Sequence, residues 1–130
     1  MVKKRIETNR APAAIGPYCQ AVVVGEWVYC SGQVALDPDE AQMLGDGDIA
    51  AETRQVLKNL EAVLEEAGAS RGDVVKATVY LIDMDEFSKM NQVYAAFFEG
   101  VVPPARATVQ VAALPKGAKV EIDFTARVEG

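Results

Sequence analysis

The feature that most constrains this chain is a change of hydrophobic period at its centre. From Ile49 to Ala67, Thr53, Val56, Leu57, Leu60, Val63, Leu64 and Ala67 recur at spacings of three and four, with Arg54, Lys58, Glu61 and Glu65 on the other side. That spacing predicts an amphipathic helix, stopped at Gly68. Beyond it, Val74 to Ile82 alternates, with Val75, Ala77, Val79 and Leu81 on one face and Lys76, Thr78 and Tyr80 on the other. A strand with two unlike faces is expected there. A helix with one apolar stripe followed by a strand with one apolar face must stack in layers to bury both.

The flanking segments extend the pattern. Tyr18 to Val24 and Trp27 to Ser31 read as strands joined by Gly25-Glu26, where Gly at the first turn position suits a type II′ hairpin. Asp37 to Asp48 reads as an acidic surface loop. A calcium loop is excluded, because Ala41, Gln42 and Asp48 stand where a third acidic ligand, the turn Gly and the bidentate Glu are required. Asp83 and Glu86 form a capping-box pattern ahead of a second helical stripe, Phe87, Met90, Tyr94, Phe97 and Phe98, which ends at Gly100 and Pro103-Pro104. Arg106 to Ala112 and Lys119 to Val128 alternate again and read as a terminal hairpin through Leu114-Pro115-Lys116-Gly117.

The expected order is ββαβαββ, an α+β fold with two helices on one face of a single mixed sheet. With 130 residues and no linker-like segment, residues 1–130 are expected to form a single domain. The opposite face is expected to gather Tyr18, Gln20, Ser31, Thr78, Tyr80, Arg106, Thr108, Gln110, Glu121 and Asp123. That set is too polar for a core and suited to a subunit interface, which would enclose a binding site.

Composition narrows the chemistry. The chain has no histidine, which removes His-based metal sites, Ser-His-Asp triads and histidine acid/base pairs. Carboxylates, Arg, Tyr, hydroxyls, backbone groups and water remain. The net charge is -6 and the basic residues are scattered, so nucleic acid is not an expected partner. No apolar run approaches the ~20 residues of a membrane helix. Ile6-Glu7-Thr8-Asn9 interrupts the place where a signal peptide would continue after Lys3, Lys4 and Arg5, so a cytoplasmic location is expected. Hairpin pairing sets Cys30 opposite Ala21 and only diagonal to Cys19, which disfavours a disulfide.

Seven segments, in order, resemble the reactive-intermediate deaminases, also called the enamine/imine deaminase or YjgF/UK114 family. They are Ala14 to Ala21, Ser31-Gly32-Gln33, Thr53 to Leu60, Val74 to Met84, Asn91 to Phe98, Pro104-Ala105-Arg106, and Leu114-Pro115 with Val120-Glu121-Ile122. The resemblance implies a chorismate-mutase-like fold, a homotrimer with sites between subunits, and hydrolysis of 2-imino or enamine acids to 2-keto acids and ammonia. Substrates such as 2-iminobutanoate and 2-iminopropanoate need no cofactor for this reaction, and no metal is implied. Cys19 stands where the family has Ser, and Glu52 where it has Gln. Many members have Cys two positions after the arginine. Thr108 occupies that position here and Ala does so in others, which points to the backbone amide rather than a thiol.

On the residues alone, Arg106 is equally readable as a bidentate anchor for a substrate carboxylate or as the partner of Glu121 or Asp123 across the hairpin. The resemblance favours the anchor. It also implies catalytic roles for Glu121, as proton shuttle, and for the Thr108 amide. Substrate-binding roles fall to Tyr18, Ser31, Gly32 and Asn91, although Tyr18 and Ser31 also read as ordinary interface polarity and Asn91 as a satisfied amide. The expected partners are a small 2-imino or 2-keto acid and two further copies of the chain. Two other functions stay open at this level: a non-catalytic 2-keto-acid-binding module using the same Arg, and RNA cleavage.

Overall fold

In the computed structural model, which describes residues 2–129, Asp48 starts the central helix as its pattern requires. The Asp48 side chain accepts a hydrogen bond from the Ala51 amide at 3.1 Å, satisfying one of the free N–H groups of the first turn. Helix α1 runs Ile49–Glu66, and Gly68 adopts φ 82 just beyond it. The strands are β1 Lys4–Ile6, β2 Ala21–Val24, β3 Trp27–Cys30, β4 Val74–Leu81, β5 Ala105–Gln110 and β6 Val120–Arg127, and the second helix, α2, is Phe87–Phe97. They form one six-stranded sheet in the order β1-β2-β3-β6-β4-β5, antiparallel except for the β4/β5 pair.

Both helices lie on one face, so the α+β architecture is the one the periodicities dictate. Val56, Leu57, Leu60 and Leu64 of α1 are buried with Val79, Leu81, Ile122 and Phe124 of the sheet. Phe98 meets Phe124 edge-on at 5.7 Å and thereby seats α2. The first hairpin also follows expectation: Ala21 faces Cys30, Gly25 has φ 60, and both cysteines are free.

Several expectations fail for physical reasons. Arg106 to Ala112 and Lys119 to Val128 do not form a hairpin. Strand β6 inserts between β3 and β4, while β5 crosses over through α2 and lies parallel to β4 at the sheet edge. The added strand β1 pairs with β2 at the other edge. Strand β2 begins at Ala21 rather than Tyr18. Gln20 turns inward instead, where it accepts from the Thr8 amide at 2.7 Å and donates to the carbonyls of Thr8 and Pro12 at 3.0 and 2.8 Å. A bulge between Val74 and Lys76 puts Val74 into the core and leaves Val75 exposed. Asp83 caps a single 3₁₀ turn through the Asp85 amide, and the Glu86 side chain goes to Lys119.

The face away from the helices is uncovered. Trp27, Tyr29 and Val109 stand exposed on it beside Thr78, Tyr80, Asp123 and Thr125.

Candidate active site

Strand register decides which side chains can meet. Ala77 and Val79 of β4 point to the helices, and their partners in β5 are Arg106 and Thr108. Arg106 therefore lies on the helix side of the edge strand, under α2. Its guanidinium carbon sits 4.7 Å from the Tyr94 ring centroid and 5.4 Å from that of Phe87, and Nη1 donates to Asn91 Oδ1 at 2.7 Å. Phe87, Asn91 and Tyr94 occur at i, i+4 and i+7, one face of α2. Two aromatic faces and an amide oxygen hold the cation in place. Among the described residues no carboxylate lies within 4.0 Å of it.

Two hydroxyls beside this cation, those of Tyr94 and Thr108, are buried without a hydrogen-bond partner among the described residues. Burial pushes the Tyr94 phenol upward from its ordinary range, against the opposing pull of Arg106.

Glu121 belongs to a different place. It pairs with Tyr80 across β6 and β4, as Asp123 does with Thr78, and so projects from the uncovered face. The carboxylate lies against Gly32: a Cβ added there would fall 2.3 Å from Glu121 Oε2. Glycine is needed at that position to admit the carboxylate. Tyr18, Ile15, Gly32, Glu121, Pro115 and Lys116 line a cleft of about 330 Å³. Burial pushes the Glu121 carboxyl above the usual glutamate range, and the charge of Asp123 adds to the effect. Tyr80 donates its phenolic proton to Asp123 at 3.0 Å. The Ser31 hydroxyl donates to the Cys19 carbonyl at 2.6 Å, which leaves only its lone pairs for a ligand. Cys30 is buried and its thiol is pushed up to about 12, first by desolvation and then by Asp123, so it stays protonated and is a poor nucleophile.

The single polar face expected from alternation is thus two groups on opposite faces. Arg106, Thr108 and Gln110 lie on the helix side, while Thr78, Tyr80, Glu121 and Asp123 lie on the other, and Gln20 is in the interior. The alternative pairing of Arg106 with Glu121 or Asp123 falls with the hairpin. Two strand spacings and three residues separate the Arg106 and Glu121 positions, roughly 14 Å between their backbones. One small acid cannot touch both within a single chain. The supports Phe87 and Tyr94 were legible only as an apolar stripe; their spacing about Asn91 was the available signal.

A larger groove of about 540 Å³ runs between α1 and α2, but it contains none of these groups. Among the described residues no cluster of three His, Cys, Asp or Glu side chains is arranged to hold a metal, and no helix is long and apolar enough to cross a membrane.

The profile of a family described as endoribonuclease L-PSP matches residues 8–128. The chain belongs to this family. Among its relatives is the mouse 2-iminobutanoate/2-iminopropanoate deaminase, 49% identical over 126 residues, 97% of this chain and 92% of that protein. The fold superimposes on a Rid-family protein of unknown function from Yersinia pestis with a TM-score of 0.95 at 46% identity, covering 98% of this chain and all of the other. Escherichia coli TdcF with bound serine matches with a TM-score of 0.93 at 41% identity, covering 97% and 99% of the two chains. The family match thus covers nearly the whole chain, and the alignment to the mouse deaminase extends over 97% of it.

Proposed function

We propose that the protein hydrolyses 2-imino acids, such as 2-iminobutanoate and 2-iminopropanoate, to 2-keto acids and ammonia, at clefts shared between copies in a homotrimer. The observation that carries this reading is Arg106, a guanidinium held by Tyr94, Phe87 and Asn91 with no carboxylate of its own among the described residues. Such a group is prepared for the carboxylate of a ligand. The bound serine of TdcF, an amino acid with that carboxylate, and the activity named for the mouse relative support the same chemistry.

The two half-sites set the division of labour. Arg106 anchors the acid group, with Asn91 fixing the guanidinium and the Thr108 amide flanking the reacting carbon. Glu121, with Tyr18, Ser31 and Gly32, comes from the neighbouring copy across the uncovered sheet face. Its carboxylate takes a proton from water as the water oxygen bonds to the imine carbon, and then delivers that proton to nitrogen. Glu121 then relays the hydroxyl proton of the tetrahedral adduct to the amino nitrogen, and collapse forms the C=O bond as the C–N bond breaks, releasing ammonia. The protein contributes orientation and charge placement, and the reaction requires no cofactor.

The test is release of keto acid and ammonia from imines generated in situ by a threonine dehydratase. Arg106→Lys keeps the charge but loses the planar fork, so kcat/KM should fall at least about tenfold, or about 1.4 kcal/mol, in a folded protein. Full activity in that variant would rule out the anchor. Saturable 2-ketobutanoate binding with no acceleration over buffer would favour a keto-acid sensor. The family description also motivates an RNA digestion with highly purified protein, in which cleavage abolished by Arg106→Ala would favour the nuclease.

A further inference from the structure

A network of three residues joins the two half-sites of one chain. Glu52 of α1 is buried, and its Oε1 accepts the backbone N–H of Lys119 at 2.9 Å. The Lys119 ammonium meets Glu86 Oε1 at 3.1 Å with both side chains mostly covered. The carbonyl of Lys119 also accepts from the Ile82 amide at the end of β4. Lys119 stands two residues before Glu121, and Glu86 immediately precedes α2, which carries Phe87, Asn91 and Tyr94 to Arg106. The Glu52 stem is itself clamped, because a Cβ on Gly45 would come within 3.0 Å of its Cγ.

Burial raises the Glu52 carboxyl from its ordinary value, and the amide and ammonium of Lys119 oppose this only in part. A buried carboxylate held at such a cost is a weak source of stability. Its contribution is geometric, since it fixes where the Lys119 backbone enters β6.

We propose that Lys119 is a positioning residue, a strut that holds the strand carrying Glu121 in register with the helix carrying the supports of Arg106. The inference deepens the split-site reading and rests on it. In the assembly proposed above, these two half-sites of one chain serve different clefts, so the strut links neighbouring clefts through each subunit.

The test uses the full assembled protein with Lys119→Met, Lys119→Arg and Glu86→Gln, read by imine turnover and by carbon-detected NMR titration of the Glu121 carboxyl. Lys119→Met should lower kcat at least about tenfold with KM within about threefold, since Arg106 keeps its own partners. Glu86→Gln should act in the same direction, and the two together should be no worse than Lys119→Met alone, because they interrupt one path. Lys119→Arg should recover most of the loss. The Glu121 midpoint should fall toward the ordinary glutamate range as a loosened strand admits water. Removal of a cation acting only through its field would leave that midpoint unmoved or raise it, so the sign separates positioning from simple electrostatics. Unchanged kcat, losses that multiply, or a midpoint that is unmoved or raised would overturn the proposal. If wild-type protein does not hydrolyse imines, the deaminase reading fails while the titration still decides the strut. If Lys119→Met does not fold, Glu86→Gln carries both measurements.

Discussion

Replacing Gly32 by Ala adds one methyl group against the Glu121 carboxylate. The new Cβ would stand 2.3 Å from Oε2, 2.9 Å from Cδ and 3.1 Å from Cγ. Ordinary contact is about 3.5 Å, so the carboxylate must retreat by roughly 1 Å. Gly32 is not among the glycines with positive φ, and alanine therefore brings no backbone strain there. The obstructed group is the end of a flexible side chain, which can move without disturbing β6. Stability should stay within about 1 kcal/mol of wild type, as the lower entropy of the unfolded chain offsets part of the crowding. Activity should not be spared. A misplacement of about 1 Å in a proton-transferring group costs on the order of a hundredfold in kcat, or about 2.7 kcal/mol. Binding of 2-ketobutanoate, anchored by Arg106 from the other half-site, should change little. Steady-state imine kinetics, keto-acid calorimetry and a melting curve separate these effects. Wild-type kcat in Gly32→Ala, or a loss confined to ligand affinity, would refute the placement of Glu121 at the reacting centre.

Glu121→Gln should abolish most turnover while leaving the fold at least as stable at neutral pH. Because the folded midpoint of Glu121 is raised, its favourable contribution is fully present below the unfolded value and is lost as pH rises through the folded one. The melting temperature of Glu121→Gln relative to wild type should therefore climb as pH passes upward through that window. The acid limb of wild-type kcat should also lie above the range of an ordinary glutamate, since the shuttle must be ionised to take a proton; a limb at the usual glutamate value would remove Glu121 from that role. Asp48→Ala removes the cap of α1 and should cost about 1 kcal/mol of stability in a denaturant melt, with kcat unchanged. Sedimentation should give three times the 13.9 kDa chain mass, and a monomer at micromolar concentration would leave the half-sites separate.

Local signals in the sequence were reliable where the structure depends on neighbours along the chain. The α1 stripe and the Gly25 turn follow from residues within a few positions of one another. Strand neighbours depend on distant pairing, and Leu114 to Gly117 has the composition of a hairpin turn although the strands on either side of it do not pair. In β6, Val120, Ile122, Phe124 and Ala126 are all buried, the mark of a central strand, whereas no residue of β5 is fully buried, as suits an edge. The parallel register of β5 then reverses the face on which Arg106 appears. Arg106 and Glu121 were legible as residue types in a motif, but their separation across the sheet was not. The Gly32 contact with Glu121 spans almost ninety positions, beyond the reach of any local period.

The placement of Arg106 and Glu121 on opposite faces has a consequence at the level of mass action. Under the split-site reading no single chain owns a complete cleft, so the species that turns over substrate is the assembly. Below the dissociation range of a trimer, the concentration of assembled species falls as about the third power of protomer concentration. Specific activity would then depend on dilution, and the cell's supply of this protein would act as a threshold rather than a dial. Destabilising changes far from either half-site would inactivate the protein by the same route if they weaken self-association, while every catalytic side chain remains in place.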